Sequence, residues 1–118
     1  KKLHKITRDH SYVQELIDKG IISEEEAFAH PYRNIVLESI GGIMDYRFID
    51  VRTYKEQYCD DDIYLICSDG LFDMLDKKEI ESSFAQTLDE SVSNLLNKTF
   101  DKGAKDNISI ILFRISKC

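Results

Sequence analysis

The chain has 118 residues, of which 42% are hydrophobic, with five glycines and one proline, and this composition excludes collagen-like, low-complexity and disordered chains. Its 22 acidic residues outnumber its 16 basic ones, which gives a formal net charge of −6, and no basic cluster indicates a nucleic-acid surface. The apolar runs are far shorter than the about 20 residues that a membrane-spanning helix needs, so no membrane segment is predicted.

The first part of the chain is predicted to hold the end of a strand and two short helices. Residues 3–7 have the pattern of a strand end. Ser11 stands three residues before Gln14, a capping-box spacing that predicts a helix start, and a following glycine can end this helix. Ser23 and Glu26 repeat the spacing, so a second helix is predicted, which the next proline ends.

Strands are predicted in four further places. Residues 34–40 and 48–54 are rich in β-branched and aromatic residues and flank a Gly-Gly turn. Residues 63–67 form a fully apolar run after the solvated acidic turn 60–62, which predicts a buried strand. Residues 107–115 place apolar side chains on both sides of a last strand.

Two further helices are predicted between the last two strands. Asp76 and Glu79 have capping-box spacing, at the start of a helix that reaches about residue 84. Residues 88–100 form an amphipathic helical pattern. Because helices and strands mix in no strict βαβ order, we expect an α+β fold whose four or five strands belong to more than one sheet. The predicted apolar face of the helix at residues 88–100 consists of Val92, Leu95, Leu96 and Phe100.

Two aspartates stand where the last two strands would bring them together. Asp69 follows the apolar run 63–67 and precedes Gly70, which lets a ligand approach the backbone closely. By itself, Asp69 fits a helix-capping or turn residue equally well. Asp106 precedes the last strand, so antiparallel pairing of the two strands places both carboxylates at one sheet end. Oxygen ligands without nearby His or Cys favour magnesium, manganese or calcium over zinc.

The three cysteines, Cys59, Cys67 and Cys118, are odd in number and lack Cys-x-x-Cys spacing. They therefore predict neither a disulfide framework nor a zinc site, and we expect a reducing, cytoplasmic compartment. Cys67 lies within an apolar run, where we expect a buried and unreactive thiol.

Four motifs, in order along the chain, resemble those of one enzyme family. They are residues 6–11 (ITRDHS), 24–27 (EEEA) with 30–34 (HPYRN), 68–71 (SDGL) and 105–109 (KDNIS). Each motif is common by itself, but their order and spacing resemble the metal-dependent serine/threonine protein phosphatases of the protein phosphatase 2C type. The bacterial single-domain branch fits best, and the resemblance extends over essentially the whole chain.

The resemblance implies a fold and a reaction. The fold would be a four-layer αββα arrangement, in which two antiparallel β-sheets form a sandwich that helices flank. The reaction would be hydrolysis of phosphoserine or phosphothreonine on proteins, with a binuclear Mg²⁺ or Mn²⁺ centre that activates a water for direct attack on phosphorus. A cognate serine/threonine kinase is the implied partner that phosphorylates the same proteins.

The resemblance also implies which residues hold metal. Asp69 and Asp106 match the two late aspartates that ligate the binuclear centre. Asp9 matches the aspartate that, with the Ser-Asp-Gly aspartate, holds a third and weaker metal in bacterial members. No residue of this chain matches a group that acts directly on the substrate. The residues implied to lie beside the ligands without binding metal are Ser68, Gly70 and Asn107.

Residues 18–40 correspond to the flap beside the active site in such enzymes, a mobile segment that influences substrate choice. Tyr32 and Arg33 could touch substrate from this flap, and a solvated surface role fits them as well. His10 and His30 match motif positions that are structural rather than catalytic.

The family's early motifs are missing from the sequence. They comprise an acidic stretch, an Asp-Gly pair before a glycine-rich segment that supplies the bridging metal ligand, and a basic phosphate-binding residue. We therefore expect residues 1–118 to be the C-terminal half of a catalytic domain, with the N-terminal half absent. Such a chain would be inactive alone, and its uncovered sheet edges would favour dimerisation. Lys1 in place of an initial Met fits a start that lies upstream.

Two other functions fit parts of the pattern. A haloacid-dehalogenase-type phosphatase needs an Asp-x-Asp-Gly motif after an apolar strand, but Cys67 stands at its first position, so the nucleophile is missing. A non-catalytic module that binds phosphoproteins or regulates a partner is the alternative, although the intact Asp69 and Asp106 count against it. An Asp-Gly-x-Gly-Gly segment encoded upstream of Lys1 would decide for the enzyme.

Overall fold

The computed structural model describes residues 2–41 and 51–117. The chain divides into two compact units: Lys1–His4 with Glu56–Cys118 form the sheet unit, and Lys5–Lys55 form the helical unit. None of the helices in the described residues is long and apolar enough to cross a bilayer. In chain order the elements are α1 (Tyr12–Asp18), α2 (Glu24–Phe28), β1 (Ile63–Cys67), α3 (Asp69–Phe72), α4 (Lys77–Glu81), α5 (Leu88–Asp101) and β2 (Ile110–Arg114).

Strands β1 and β2 pair antiparallel, which confirms the predicted arrangement of the two aspartate-bearing segments. Cys67 lies opposite Ile110 at the end of β1. Side chains alternate between the two sheet faces, and the inner face packs against the core through residues such as Leu65 and Leu112. The outer face is open, and Ile66 is 57% exposed. The prediction of a buried strand is therefore wrong for this face, because only one side of the sheet meets the core within residues 2–41 and 51–117.

The core of the sheet unit is formed by its three helices and the inner sheet face. Leu71 of α3, Ile80 of α4 and Leu95 of α5 are fully buried, and Met74 and Leu75 complete the buried cluster. Burying each such apolar side chain stabilises the fold by about 1.5–3 kcal/mol. The cluster therefore fixes α3, the short helix that carries the first aspartate, at the end of β1.

The predicted apolar face of α5 is confirmed in part, since Val92 and Leu96 are half-buried. Leu95 is buried as expected, but its buried neighbours are Ser91 and Thr99, and Phe100 is 60% exposed. The Thr99 hydroxyl donates to the Leu95 carbonyl, and the Ser91 hydroxyl donates to the Thr87 carbonyl, both at 2.8 Å. Since these bonds satisfy the buried hydroxyls, small polar residues can face the core, and the larger Phe100 is left on the solvent side.

The predicted helix starts are confirmed, with one difference in detail. Ser11 caps α1 by accepting the backbone N–H of Gln14 at 3.3 Å. The reciprocal bond of a full capping box does not form here: Gln14 Oε1, the acceptor that it needs, accepts from Lys5 Nζ at 3.3 Å, while Gln14 Nε2 donates to Asp18 at 2.9 Å. Helix α4 is shorter than predicted and ends at Glu81. Complete capping boxes join Ser23 to Glu26 and Asp76 to Glu79.

Three predicted strand segments are not strands in the described residues. Residues 3–7 are irregular, and residues 34–40 make only an isolated bridge. Of the predicted strand 48–54, residues 51–54 are irregular and the rest lies outside the described residues. β-Branched content favours a strand only where a partner strand and a half-buried face are available, and these segments have neither in the part of the chain described.

One two-stranded sheet takes the place of the predicted four or five strands among the described residues. Strand β2 begins at Ile110 rather than at residue 107. The combination of helices with an antiparallel sheet confirms the α+β class. The second sheet of the implied sandwich remains an expectation.

Candidate metal centre

Asp69 lies at the exit of β1, as predicted. It is the first residue of α3, with an exposed side chain, and its carbonyl accepts the backbone N–H of Asp73 at 2.8 Å. The residue at the capping position is Ser68. The interpretation of Asp69 as a helix cap is therefore wrong, and its exposed side chain belongs to the first turn of α3, next to the end of β1.

The segment that follows Asp106 runs alongside this turn. The Ser68 N–H donates to the Ser109 carbonyl at 3.0 Å, and the Ser109 N–H donates to Ser68 Oγ at 2.9 Å. The Ser68 hydroxyl also donates to the Asn107 carbonyl at 3.3 Å. The pairing of the two strands thus continues past their formal ends and brings the segments of Asp69 and Asp106 together. Ser109 was not singled out from the sequence, although counting one step beyond the last strand pair places it opposite Ser68.

Gly70 makes direct backbone contact with the same segment. A Cβ atom at this position would lie 2.2 Å from the Asn107 carbonyl oxygen and 3.0 Å from its carbonyl carbon. Both distances are far below van der Waals contact, so only glycine fits. The lack of a side chain at Gly70 is what allows α3 to sit against the segment that begins at Asp106.

Asp106 is exposed, and its Oδ1 accepts the backbone N–H of Asn107 at 2.7 Å. A carboxylate offers about four lone-pair sites on two oxygens, so this bond leaves acceptor capacity for a cation. Two exposed carboxylates on joined segments suit a hard divalent cation. Among residues 2–41 and 51–117, however, no group of three or more His, Cys, Asp or Glu side chains is placed to hold a metal. Asp69 and Asp106 therefore fit part of a divalent-cation site.

Asp9 belongs to the helical unit. Lys5 Nζ lies 2.7 Å from Asp9 Oδ2, in an exposed ion pair one helical turn apart in sequence. This ammonium group competes with any cation for the carboxylate. The implied role of Asp9 in a third metal site stays a prediction.

The two histidines of the motifs make local contacts within the helical unit. His10 Nδ1 lies 3.4 Å from Glu38 Oε2. His30 Nδ1 accepts the Tyr32 backbone N–H at 3.0 Å, and the His30 ring packs edge-on against Tyr12 at 6.1 Å between centroids. These contacts are of the structural kind that the resemblance implies.

Tyr32 and Arg33, the two predicted substrate-contacting residues, have different surroundings. Tyr32 is 57% exposed. Arg33 donates from Nη1 to the Phe28 carbonyl at 2.8 Å, and its guanidinium lies 5.2 Å from the Phe28 ring centroid. Cation–π and hydrogen-bond contacts of this kind anchor Arg33 to the end of α2, so Tyr32 is the more accessible of the pair.

Cys67 is expected to react much more slowly than Cys59. Burial raises the pKa of the Cys67 thiol to about 11, so at pH 8 only about one thiol in a thousand is the nucleophilic thiolate. Cys59 is exposed. In a Cys118→Ser variant, mass spectrometry after brief iodoacetamide treatment should show one modification, at Cys59. Equal labelling of Cys59 and Cys67 would contradict the protection of Cys67, which is half-buried rather than buried as predicted.

Curated relatives and solved structures match nearly the whole chain, whereas no family model matches it. The serine/threonine phosphatase stp of Listeria monocytogenes is 36% identical over 112 residues, which are 93% of this chain and 43% of that protein. A protein phosphatase 2C-type sequence of Streptococcus pyogenes is 37% identical over 110 residues, 91% of this chain and 43% of the relative.

Two structures of the phosphatase PstP show the same fold. The Mycobacterium tuberculosis PstP/Ppp structure has a TM-score of 0.84 and 29% identity, over 98% of this chain and 48% of the other. The PstP catalytic domain in complex with two manganese ions has a TM-score of 0.76 and 26% identity, over 95% and 45%. The chain spans less than half the length of these relatives. By sequence and by fold, it belongs to the serine/threonine phosphatases of the protein phosphatase 2C type.

Proposed function

We propose that this chain is the C-terminal half of a domain that hydrolyses phosphoserine and phosphothreonine in proteins with the help of Mg²⁺ or Mn²⁺. The observation that carries the proposal is the joining of the Asp69 and Asp106 segments at one sheet end. The two manganese ions in the related PstP catalytic domain support it.

The role of this chain in the reaction is to hold and orient cations. Asp69 and Asp106 would ligate the two ions of a binuclear centre, and Asp9 is the proposed ligand of a further, weaker metal. When bound, such ions supply an activated water and positive charge close to the phosphoryl oxygens. Gly70 keeps the two carboxylate-bearing segments in contact, and Asn107 holds Asp106 by its backbone N–H.

The proposed substrates are phosphoproteins, with a cognate serine/threonine kinase acting in the opposite direction. Residues 18–40 are the proposed flap, and Tyr32, which is 57% exposed against 36% for Phe28, is an accessible aromatic side chain for substrate contact. The proposed compartment is the cytoplasm, which the odd number of cysteines and their spacing support.

A manganese titration tests the metal site directly. Paramagnetic Mn²⁺ should broaden the amide NMR signals near Asp69 and Asp106 in the wild-type chain. Asp69→Asn should remove most of this broadening, because an amide is a far weaker ligand than a carboxylate for a hard cation. Asp101→Asn is the matched control, since it removes an exposed carboxylate elsewhere in the sheet unit and should leave the broadening unchanged. Identical broadening in wild type and Asp69→Asn would refute the site.

Dimerisation is expected through the open side of the sheet. Ile66, Ile111 and Phe113 are exposed on the outer face, where Phe113 stacks on Tyr64 at 5.2 Å between ring centroids. Exposed apolar strands with few charges favour association. Light scattering at increasing concentration should show a dimer, and Ile111→Lys should shift it toward monomer. A wild-type chain that stays monomeric at high concentration would contradict this prediction.

A further inference from the structure

We infer that the Ser68 hydroxyl positions the proposed metal ligands, by holding the segment after Asp106 against the turn that carries Asp69. The inference rests on the proposed function, because it concerns the same metal site. It assigns to Ser68 a task that acts through the two aspartates, without contact between Ser68 and a cation.

Ser68 lies between the end of the sheet and the start of α3, so its backbone N–H and its carbonyl bond to different elements. Its N–H still donates across the sheet, to the Ser109 carbonyl at 3.0 Å. Its carbonyl accepts the N–H of Leu71 at 3.2 Å instead, as the first acceptor of α3. In an antiparallel pair that exchanges both bonds, this carbonyl would have accepted the N–H of Ser109. The helix start therefore removes one rung of the ladder.

The Ser68 side chain restores the missing rung. Ser68 Oγ accepts the Ser109 N–H at 2.9 Å and donates its proton to the Asn107 carbonyl at 3.3 Å. A serine at a helix cap ordinarily accepts an N–H of its own helix, but Ser68 makes no side-chain cap bond to α3. Its hydroxyl is thus turned away from the helix it precedes and toward the neighbouring segment, where it makes two bonds.

These bonds lie next to both carboxylates. Asp69 is the residue after Ser68, and Asp106 is the residue before Asn107. A metal held by two carboxylates requires a fixed separation between them, and groups that orient ligands commonly change metal affinity by about 10- to 100-fold when removed. Without the hydroxyl, the bond from the Ser68 N–H to the Ser109 carbonyl and the close approach of Gly70 still join the segments. We therefore expect a loss of metal affinity at the lower end of this range.

Three substitutions of Ser68 separate positioning from folding. Ser68→Ala removes the hydroxyl and should weaken Mn²⁺ binding about tenfold. Ser68→Thr keeps the hydroxyl and should bind Mn²⁺ like wild type. Ser68→Cys keeps the size of the side chain but offers only a weak donor and acceptor, so it should bind as weakly as the alanine variant and serves if Ser68→Ala does not fold. Ser93→Ala, at an exposed position of α5, is the control.

Two measurements on the whole 118-residue chain read out the effect. The first is the Mn²⁺ dissociation constant from paramagnetic broadening of the amide signals near Asp69 and Asp106. The second, made without metal, is the hydrogen-exchange rate of the Ser109 amide, which should rise in Ser68→Ala and be restored in Ser68→Thr. Urea unfolding monitors the fold of each variant.

The outcomes distinguish this inference from the proposed function. Wild-type Mn²⁺ affinity in folded Ser68→Ala or Ser68→Cys would overturn the inference and leave the metal site standing. Failure of Ser68→Thr to restore binding would also overturn it. If wild type itself shows no broadening near Asp69 and Asp106 at millimolar Mn²⁺, the proposed metal site and the inference both fail.

Discussion

Gly70→Ala is expected to destabilise the sheet unit by about 1–3 kcal/mol, the usual cost of forcing extra volume into a packed site. The added Cβ would meet the Asn107 carbonyl oxygen at 2.2 Å. Because this obstacle is backbone rather than a flexible side chain, α3 and the segment after Asp106 must move apart. Urea unfolding of the wild-type and variant chains measures the change, and Mn²⁺ broadening should weaken in parallel.

The direction of the stability change is informative because the helical backbone at this position by itself favours alanine over glycine. Gly70 lies within α3 and does not have a positive φ, so alanine would stabilise the chain by about 0.4–1 kcal/mol if space allowed. A variant as stable as wild type, or more stable, would show that the close approach of Gly70 to Asn107 does not exist in solution. Ser93→Ala, which changes an exposed position of α5, is a control for substitution to alanine.

The 118-residue chain by itself is expected to show no phosphatase activity above background, even in excess Mn²⁺. Its sequence lacks the Asp-Gly and glycine-rich segment from which the family draws its bridging metal ligand. Among the described residues, no group of three or more His, Cys, Asp or Glu side chains is placed to hold a metal, so we expect the proposed site of Asp69 and Asp106 to need further ligands. The measurement is phosphate release from phosphoserine and phosphothreonine peptides.

Controls make a negative result meaningful. A complete phosphatase of the same type, such as the Listeria relative, should be active under the same conditions. Asp69→Asn identifies any contaminating activity, because a contaminant would be unaffected by it. Metal-dependent turnover by the purified chain that Asp69→Asn abolishes would refute the prediction and show that this chain completes a catalytic site.

The elements that could be predicted from sequence are those whose signals are local. Strand β1 was predicted at its observed bounds because an apolar run stands between an acidic turn and Ser-Asp-Gly. The capped starts of α1, α2 and α4 follow from a side chain and a backbone N–H three residues apart. The meeting of the Asp69 and Asp106 segments was predictable because antiparallel pairing forces the end of one strand to lie beside the start of the other.

What could not be predicted depends on partners that are distant in sequence. Residues 34–40 have strand-forming composition, but composition does not supply a neighbouring strand. The buried side of α5 was misjudged because Ser91 and Thr99 satisfy their hydroxyls within the helix, which makes polar residues acceptable against Leu95. The bond from Ser109 to the Ser68 hydroxyl depends on α3, which was not predicted because four residues are too few to show a helical periodicity.

The bonds between Ser68 and Ser109 at the end of the sheet make the proposed metal site depend on the register of β1 and β2. A slip of one residue between β1 and β2 would turn every side chain to the opposite face, and Ser109 would no longer lie opposite Ser68. The segments that carry the two carboxylates would then no longer be joined in the same way, while most backbone hydrogen bonds of the sheet could re-form. A ligand that binds only one of two states stabilises that state. A divalent cation bound at the proposed site would therefore favour the correctly aligned sheet over its slipped alternatives.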